Sequence, residues 1–351
     1  MAGYIDYDLE LHLNTPAFLG GADQRAEWRT PPLKALLRQM WRLVVAKQEN
    51  YQVARLRQRE GELFGIADET ARRRSQVVVM LDRWQAGTIN QWGADTAVSH
   101  PEAPNGKVGA QLYLGYGPLS FQREAGTVLS DRGGAKRTAL GREQSATLHL
   151  RAPAEQKGDI ERTIQLVHLL GTIGGRSRNG WGSLRLVRRN PEDLRLVGHD
   201  DPEARSLLAS ISRRLEDCLD CDWPHALGCD AKGLLAWWTE PREKVDDVLR
   251  DLAELKIAFR TQFAFPAGKP PPTPLDRHVL AYPVTNHQVS AWPRDYRAPN
   301  QLRFKVIRDH NEKYRGFVYH LPWCENIGKE KALKVWRTVH GFLNKKCQRW
   351  P

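Results

Sequence analysis

The stretch Gly171–Gly182 reads GTIGGRSRNGWG, five glycines interleaved with Arg176, Arg178 and Trp181. A glycine has no side chain, so the backbone at Gly174, Gly175 and Gly180 could approach a ligand closely. Exposed N–H groups in such a loop can form an anion-binding concavity. Arg176 and Arg178 add charge to it and Ser177 adds a hydroxyl. Trp181 offers a stacking face for an unpaired base or an anchor for the loop in the core, and the sequence leaves both roles open. The competing account is a tight helix-to-strand turn with incidental arginines. A nucleotide-binding P-loop is disfavoured, because no Gly-Lys-Ser/Thr follows and the loop comes after a helix, not before one.

A second stretch, Leu13–Arg42, places Arg25, Glu27 and Arg29 on a loop behind Gly20-Gly21 and carries Lys34, Arg38 and Arg42 into a helix. Arg38 and Arg42 are four residues apart and share one helical face, which Lys34 extends by a turn. Three cations on one stripe beside a basic loop can follow a phosphate backbone. Glu27 could orient one of the arginines. A solvated helix face with a surface ion pair is the plainer alternative. Asp23 lies in the same loop, but nothing beside it looks like a general acid or a metal partner.

A third set is Cys218, Cys221, His225 and Cys229. Three thiols and an imidazole are a chemically legitimate tetrahedral zinc set, here with compressed spacing. Unpaired thiols with Leu219 and Leu227 packing around them account for the same residues, and no cofactor is expected from the rest of the chain.

The elements that must position these residues show in the apolar periodicity. Tyr4–Leu13 alternates, with Ile5, Tyr7, Leu9, Leu11 and Leu13 on one side and acids and His12 on the other, which predicts a strand. Leu33–Lys47 has helical spacing behind Pro31 and Pro32. Gln76–Asp82, Gln111–Tyr116 and Ser145–Leu150 are expected strands, Asp159–Leu170 a helix and Ser183–Arg189 a closing strand. Residues 85–108, polar and rich in glycine and proline, are expected to be an insertion or loop. The order fits an α+β fold with a ferredoxin-like (RRM-like) βαββαβ unit over residues 1–190. A linker is expected at 191–202 and a second α+β domain at 203–351. In that second part helices are expected at Glu203–Leu219, Arg242–Phe259 and Lys329–Leu343.

The two motifs together resemble the RAMP superfamily of CRISPR proteins. A RAMP glycine-rich loop has glycines, then Arg-Ser-Arg, then Gly-aromatic-Gly-Ser, and here the chain reads LGTIGGRSRNGWGSL. The end-capping subunit of type III-B (Cmr) complexes also has a Thr-Pro, a Gly-Gly, a Glu-x-Arg and an Arg-x-x-Trp-Arg helix. The matching residues are Thr15-Pro16, Gly20-Gly21, Glu27-Trp28-Arg29 and Arg38-Gln39-Met40-Trp41-Arg42. The resemblance covers residues 1–190; beyond them it rests on analogy. It implies a non-catalytic subunit at the guide 3′ end of an antiviral ribonucleoprotein. The implied partners are CRISPR guide RNA, other RAMP subunits and, as a further candidate, target RNA. The rival readings are a RAMP endoribonuclease that matures guide RNA, with His168 as the nearest histidine to the loop, and a sister RAMP subunit from the same end of the complex.

Composition agrees with a polyanionic partner. There are 53 Lys+Arg against 41 Asp+Glu, a net charge of +12, and the surplus leans towards residues 1–190. The first residues, MAGYIDYDLE, lack the positive charge and apolar core of a secretory signal, and no apolar run is long enough to span a bilayer. A cytoplasmic location and no membrane partner are expected.

Overall fold

The structure is a computed structural model that describes residues 3–21, 23–67, 72–132, 135–190, 194–266 and 271–351. Its first sheet is built from β1 (Tyr4–Leu13), β2 (Val78–Leu81), β3 (Ala146–Pro153) and β4 (Leu184–Arg188), in the order β4-β1-β3-β2 with every neighbour antiparallel. Between them run α1 (Thr30–Val45), α2 (Val53–Phe64), the short α3 (Ala110–Gly115) and α4 (Lys157–Leu170). The alternation in β1 does what the period of two requires. Tyr7, Leu9 and Leu11 are buried, while Asp8 faces His149 at 2.6 Å and Asp6 faces Arg151 at 2.7 Å on the open side.

Helix α1 starts at prolines in its first turn, behind an extended Arg29, because proline fixes a helical φ and its missing N–H is not needed there. It buries Leu33, Leu36, Leu37, Met40, Leu43 and Val44. Each such side chain contributes about 1.5–3 kcal/mol when fully buried. Helix α2 follows, over a stretch for which the sequence predicts nothing.

Some expectations are corrected. Gln111–Tyr116, expected as a strand, is mostly α3. The Asp95 carboxylate accepts hydrogen bonds from the N–H groups of Gln111 (2.8 Å) and Leu112 (2.9 Å) and so caps a helix from 16 residues away. The expected helix Glu203–Leu219 is broken: a helix over Pro202–Ser210 gives way to a strand at Ser212–Arg214 and one turn at Leu215–Cys218. Residues 85–108 include a small antiparallel pair, Ala97–Ser99 with Lys107–Gly109.

Within residues 203–351 a second sheet forms from β5 (Ala236–Trp238), β6 (Leu302–Arg308), β7 (Tyr314–His320) and β8 (Gln348–Arg349), in the order β6-β7-β5-β8. It is covered by α5 (Val245–Thr261) and α6 (Lys329–Lys346). Of the expected linker, residues 191–193 lie outside the described residues, and Val197 and His199 are buried. Apolar packing is continuous between the sheets: Trp238, Phe317, Tyr319 and Trp350 pack in the same core as Leu9 and Leu11. The backbone joins them too. Phe304 N–H donates to the Arg178 carbonyl (3.1 Å), and the Tyr319 hydroxyl donates to the Leu170 carbonyl (2.8 Å). The glycine-rich loop therefore lies at the seam of the two sheets. Among the described residues no helix is long and apolar enough to cross a membrane.

Candidate nucleic-acid interface

The two sequence motifs meet. Gly175 N–H donates to the Phe18 carbonyl (2.8 Å) and Gly182 N–H to the Pro16 carbonyl (2.9 Å), so the Thr-Pro…Gly-Gly segment lies against the glycine loop. Thr15 ties the two from its side chain: its hydroxyl donates to the Gly180 carbonyl (2.7 Å) and accepts from Ser183 N–H (3.0 Å). Between them opens a groove of 470 Å³, with Ala35, Gln39 and Arg42 of α1 on one wall and Gly174, Gly175 and Ser177 on the other.

The loop's glycines serve the fold first. Gly174 and Gly182 have φ of +89° and +61°, and a β-carbon on them would come 2.8 Å from the Phe18 carbonyl oxygen and 1.9 Å from the Ile173 carbonyl oxygen. Their need for glycine comes from the protein's own backbone. Gly180, at φ +91°, faces Leu252 and Phe304 of the second half. Gly175 stands nearest the expectation: it lines the groove with ordinary φ, although a β-carbon would meet the Pro118 ring at 3.3 Å.

Trp181 is the core anchor of the two roles the sequence left open. It is wholly buried, 5.2 Å from the Phe18 ring and 5.5 Å from the Trp92 ring, so no base can stack on it. Arg176, at the loop's exposed tip, adopts a left-handed φ of 57°, and its Nε donates to the Tyr116 carbonyl (2.6 Å). Arg178 points instead into the seam. Burial, and then Arg303 nearby, pull it down to about 10.

The arginine stripe is not a free comb of cations. Arg38 Nε, Arg42 Nε and Arg42 Nη2 all donate to the carboxylate of Glu60 on α2, at 2.5, 2.6 and 2.6 Å. Burial works to raise the Glu60 carboxyl, but the hydrogen bonds from Arg42 and Arg38 outweigh it and hold it below the ordinary carboxylate range. Two arginines on one carboxylate leave one positive charge, on a ridge where Arg42 lines the glycine-loop groove and, with Arg38, a second hollow beside Trp223. Lys34 is half-buried, and burial together with Arg38 lowers its affinity for a proton. In the first loop Arg25 is exposed and 3.6 Å from Asp23, while Arg29 donates to the Gly20 carbonyl (3.0 Å).

The cysteine set is drawn together only in part. Arg213 Nη1 stands 3.5 Å from Cys221 Sγ and 3.0 Å from His225 Nε2, a cation where a metal would have to sit. Cys218 Sγ turns towards the Arg213 carbonyl (3.5 Å). Among the described residues no three His, Cys, Asp or Glu side chains converge as a metal site. His168 is half-buried, its Nδ1 accepts the Leu186 N–H (3.1 Å), and desolvation, Lys305 and Arg185 pull it down to about 3. A proton acceptor that weak fits general-base work at neutral pH poorly.

No protein-family model and no curated protein matches the chain. Solved structures do. A chain of the cryo-EM structure of the type III-B Cmr-beta bound to cognate target RNA and AMPPnP, in the presence of ssDNA, aligns over 98% of this chain and 100% of its own. The TM-score is 0.54 at 11% identity. A chain of Cmr-beta bound to cognate target RNA aligns over 96% and 100%, with TM-score 0.52 and 13% identity. Cmr1 from Pyrococcus furiosus, in its apo form, covers 92% of this chain and 90% of its own, with TM-score 0.49 and 15% identity. The two Cmr-beta likenesses show a shared α+β fold along nearly the whole chain.

Proposed function

We propose that this chain is a non-catalytic RNA-binding component of a type III-B Cmr ribonucleoprotein, placed at the end of the assembly that holds the guide 3′ end. The observation that carries the reading is the groove between α1 and the glycine loop, where both RAMP-like motifs meet. The full-length likeness to chains of Cmr-beta assemblies bound to target RNA supports it. The sheet order β4-β1-β3-β2, with α1 following β1 and α4 joining β3 to β4, supports the ferredoxin-like reading of residues 1–190. The open face of that sheet is an unsuitable RNA platform. On β1 it presents Asp6, Asp8 and Glu10, the first two taken up by Arg151 and His149, where an RRM displays aromatic rings, and the exposed ring on that strand, Tyr4, stands at its very end. The groove, with Arg42 on one wall and the backbone of Gly174 and Gly175 on the other, suits a phosphate backbone better.

Ala35 and Gln39 line the groove without holding the core, so Ala35→Glu with Gln39→Glu puts two negative charges there while α1 keeps good helix formers. Single-stranded RNA affinity of the double variant, measured by fluorescence anisotropy, should fall by about tenfold or more. Wild-type binding should weaken steeply as salt rises. An unchanged affinity in a folded double variant removes the groove from the RNA path.

A further inference from the structure

On the other side of the loop tip lies a larger cavity, of 750 Å³, between α3, α5 and the segment around residues 277–300. That is within the range of small-ligand sites. Four cations line it: Arg176, Lys256, Arg260 and Arg277. Among the described residues lining it, Glu102 is the one carboxylate, and it is engaged by both terminal nitrogens of Arg277 at 2.5 and 2.8 Å.

Lys256 is only 8% exposed, and its Nζ donates to Asn179 Oδ1 (2.7 Å), an oxygen that also accepts from Asn300 (2.9 Å). Arg260, one turn further along α5, meets the Tyr113 hydroxyl. Burying cations without carboxylates is costly, since neutral acceptors replace hydration only in part. The excess of positive charge is therefore a feature that a bound anion would reward.

The anion's class follows from the remaining lining. Phe265 and His287 stack on one another at 3.9 Å and 6°, and Tyr116 stands 62% exposed at the rim beside Arg176. Asn286 and Asn300 add amide donors and acceptors. Cations, flat rings and amides in one cavity match phosphate, base face and base edge. We propose that this cavity holds one nucleoside monophosphate unit, its phosphate among Arg176, Lys256 and Arg260 and its base against the Phe265–His287 stack. Taking that unit from an RNA strand passing the loop tip rests on the function proposed above.

The test titrates AMP, inorganic phosphate and a single-stranded RNA 12-mer into wild type, Lys256→Met, Arg260→Gln and the Ala35→Glu/Gln39→Glu variant. Calorimetry reads binding and thermal melting reads fold. Wild type should bind AMP more tightly than inorganic phosphate. Each cavity variant should keep or raise its melting temperature and lose about tenfold in affinity for AMP and for RNA. The groove variant should lose RNA affinity and keep AMP. RNA affinity that falls in the cavity variants without measurable AMP binding assigns the unit to the strand; AMP binding with unaltered RNA affinity assigns it to a free nucleotide. Folded cavity variants that bind both ligands as wild type does overturn the cavity and leave the RNA reading standing. Inorganic phosphate bound as tightly as AMP overturns the base subsite. Failure of wild type to bind RNA, with AMP binding that depends on Lys256, sinks the RNA reading and keeps the cavity.

Discussion

Two groups of basic side chains flank the glycine loop, and they are balanced differently. Arg38 and Arg42 close on Glu60, a carboxylate only 6% exposed and placed by the adjoining helix. Arg176, Lys256, Arg260 and Arg277 share a cavity with Glu102 alone among the described lining residues. The first group, which the sequence allows either as a ligand stripe or as a solvated face with an ion pair, is closed by Glu60 into a clamp. The second gathers from three separate segments, at Arg176, on α5 and at Arg277, and keeps its charge excess. Spacing along a helix shows which cations can stand together; whether a carboxylate meets them is decided by the partner element.

The largest effect tests the element that separates the two groups. Trp181 is wholly buried against Phe18 and Trp92, so Trp181→Ala should cost about 3–5 kcal/mol in urea unfolding. RNA affinity of the folded fraction should change little. A stable variant with impaired RNA binding would return Trp181 to a stacking role.

The next effect concerns the clamp. Glu60→Gln leaves Arg38 and Arg42 facing a neutral amide and should destabilise by about 2 kcal/mol. That is below the value for a fully buried pair, because both arginines are more than a third exposed and water screens them. The matched change in the cavity, Lys256→Met, should have no such cost, and stability should stay level or rise by about 1 kcal/mol. Asn179 keeps its bond from Asn300 when the ammonium is gone. Equal losses in the two variants would erase the contrast between the groups.

The first sheet was legible because its strands alternate and one face is buried: Tyr4–Leu13, Ser145–Leu150 and Ser183–Arg189 all appear near their expected places. Helix α2 was missed because its buried residues, Leu56, Leu63 and Phe64, are sparse among charges and Gly61 interrupts them. Helix α3 was misread because its cap, Asp95, is remote in sequence. Of the candidate site, each motif was legible by itself, but their meeting was not, because it is made by bonds between segments that stand 165 residues apart at Thr15 and Gly180, and the clamp needed knowledge of α2. The cavity had no sequence signal beyond Arg176, since Lys256 and Arg260 look like any i, i+4 pair on an amphipathic helix.

The smallest effect is a slope. Burial, and then Arg260 on the same helix and Arg176 on the loop, hold Lys256 well below its ordinary 10.5. Tyr113 on α3 also faces it, 5.7 Å from ring centre to Nζ. Between the folded value and 10.5 the unfolded chain binds more protons at this lysine than the folded one, so its contribution to stability rises with pH across that window. Lys305 is lowered by burial in the same direction, so the wild-type slope alone does not identify the source. Cys218 and Cys229 act oppositely: burial raises both thiols above 9.0, and their contribution falls once unfolded thiols begin to ionise. The clean window is therefore about pH 7 to 8.5. Over it, wild-type stability from urea titrations should rise more than that of Lys256→Met, by no more than about 1 kcal/mol. Identical slopes in the two proteins would mean that Lys256 carries its proton in the folded state. The cavity would then hold all four positive charges against Glu102, and the contrast between the two basic groups would be at its sharpest.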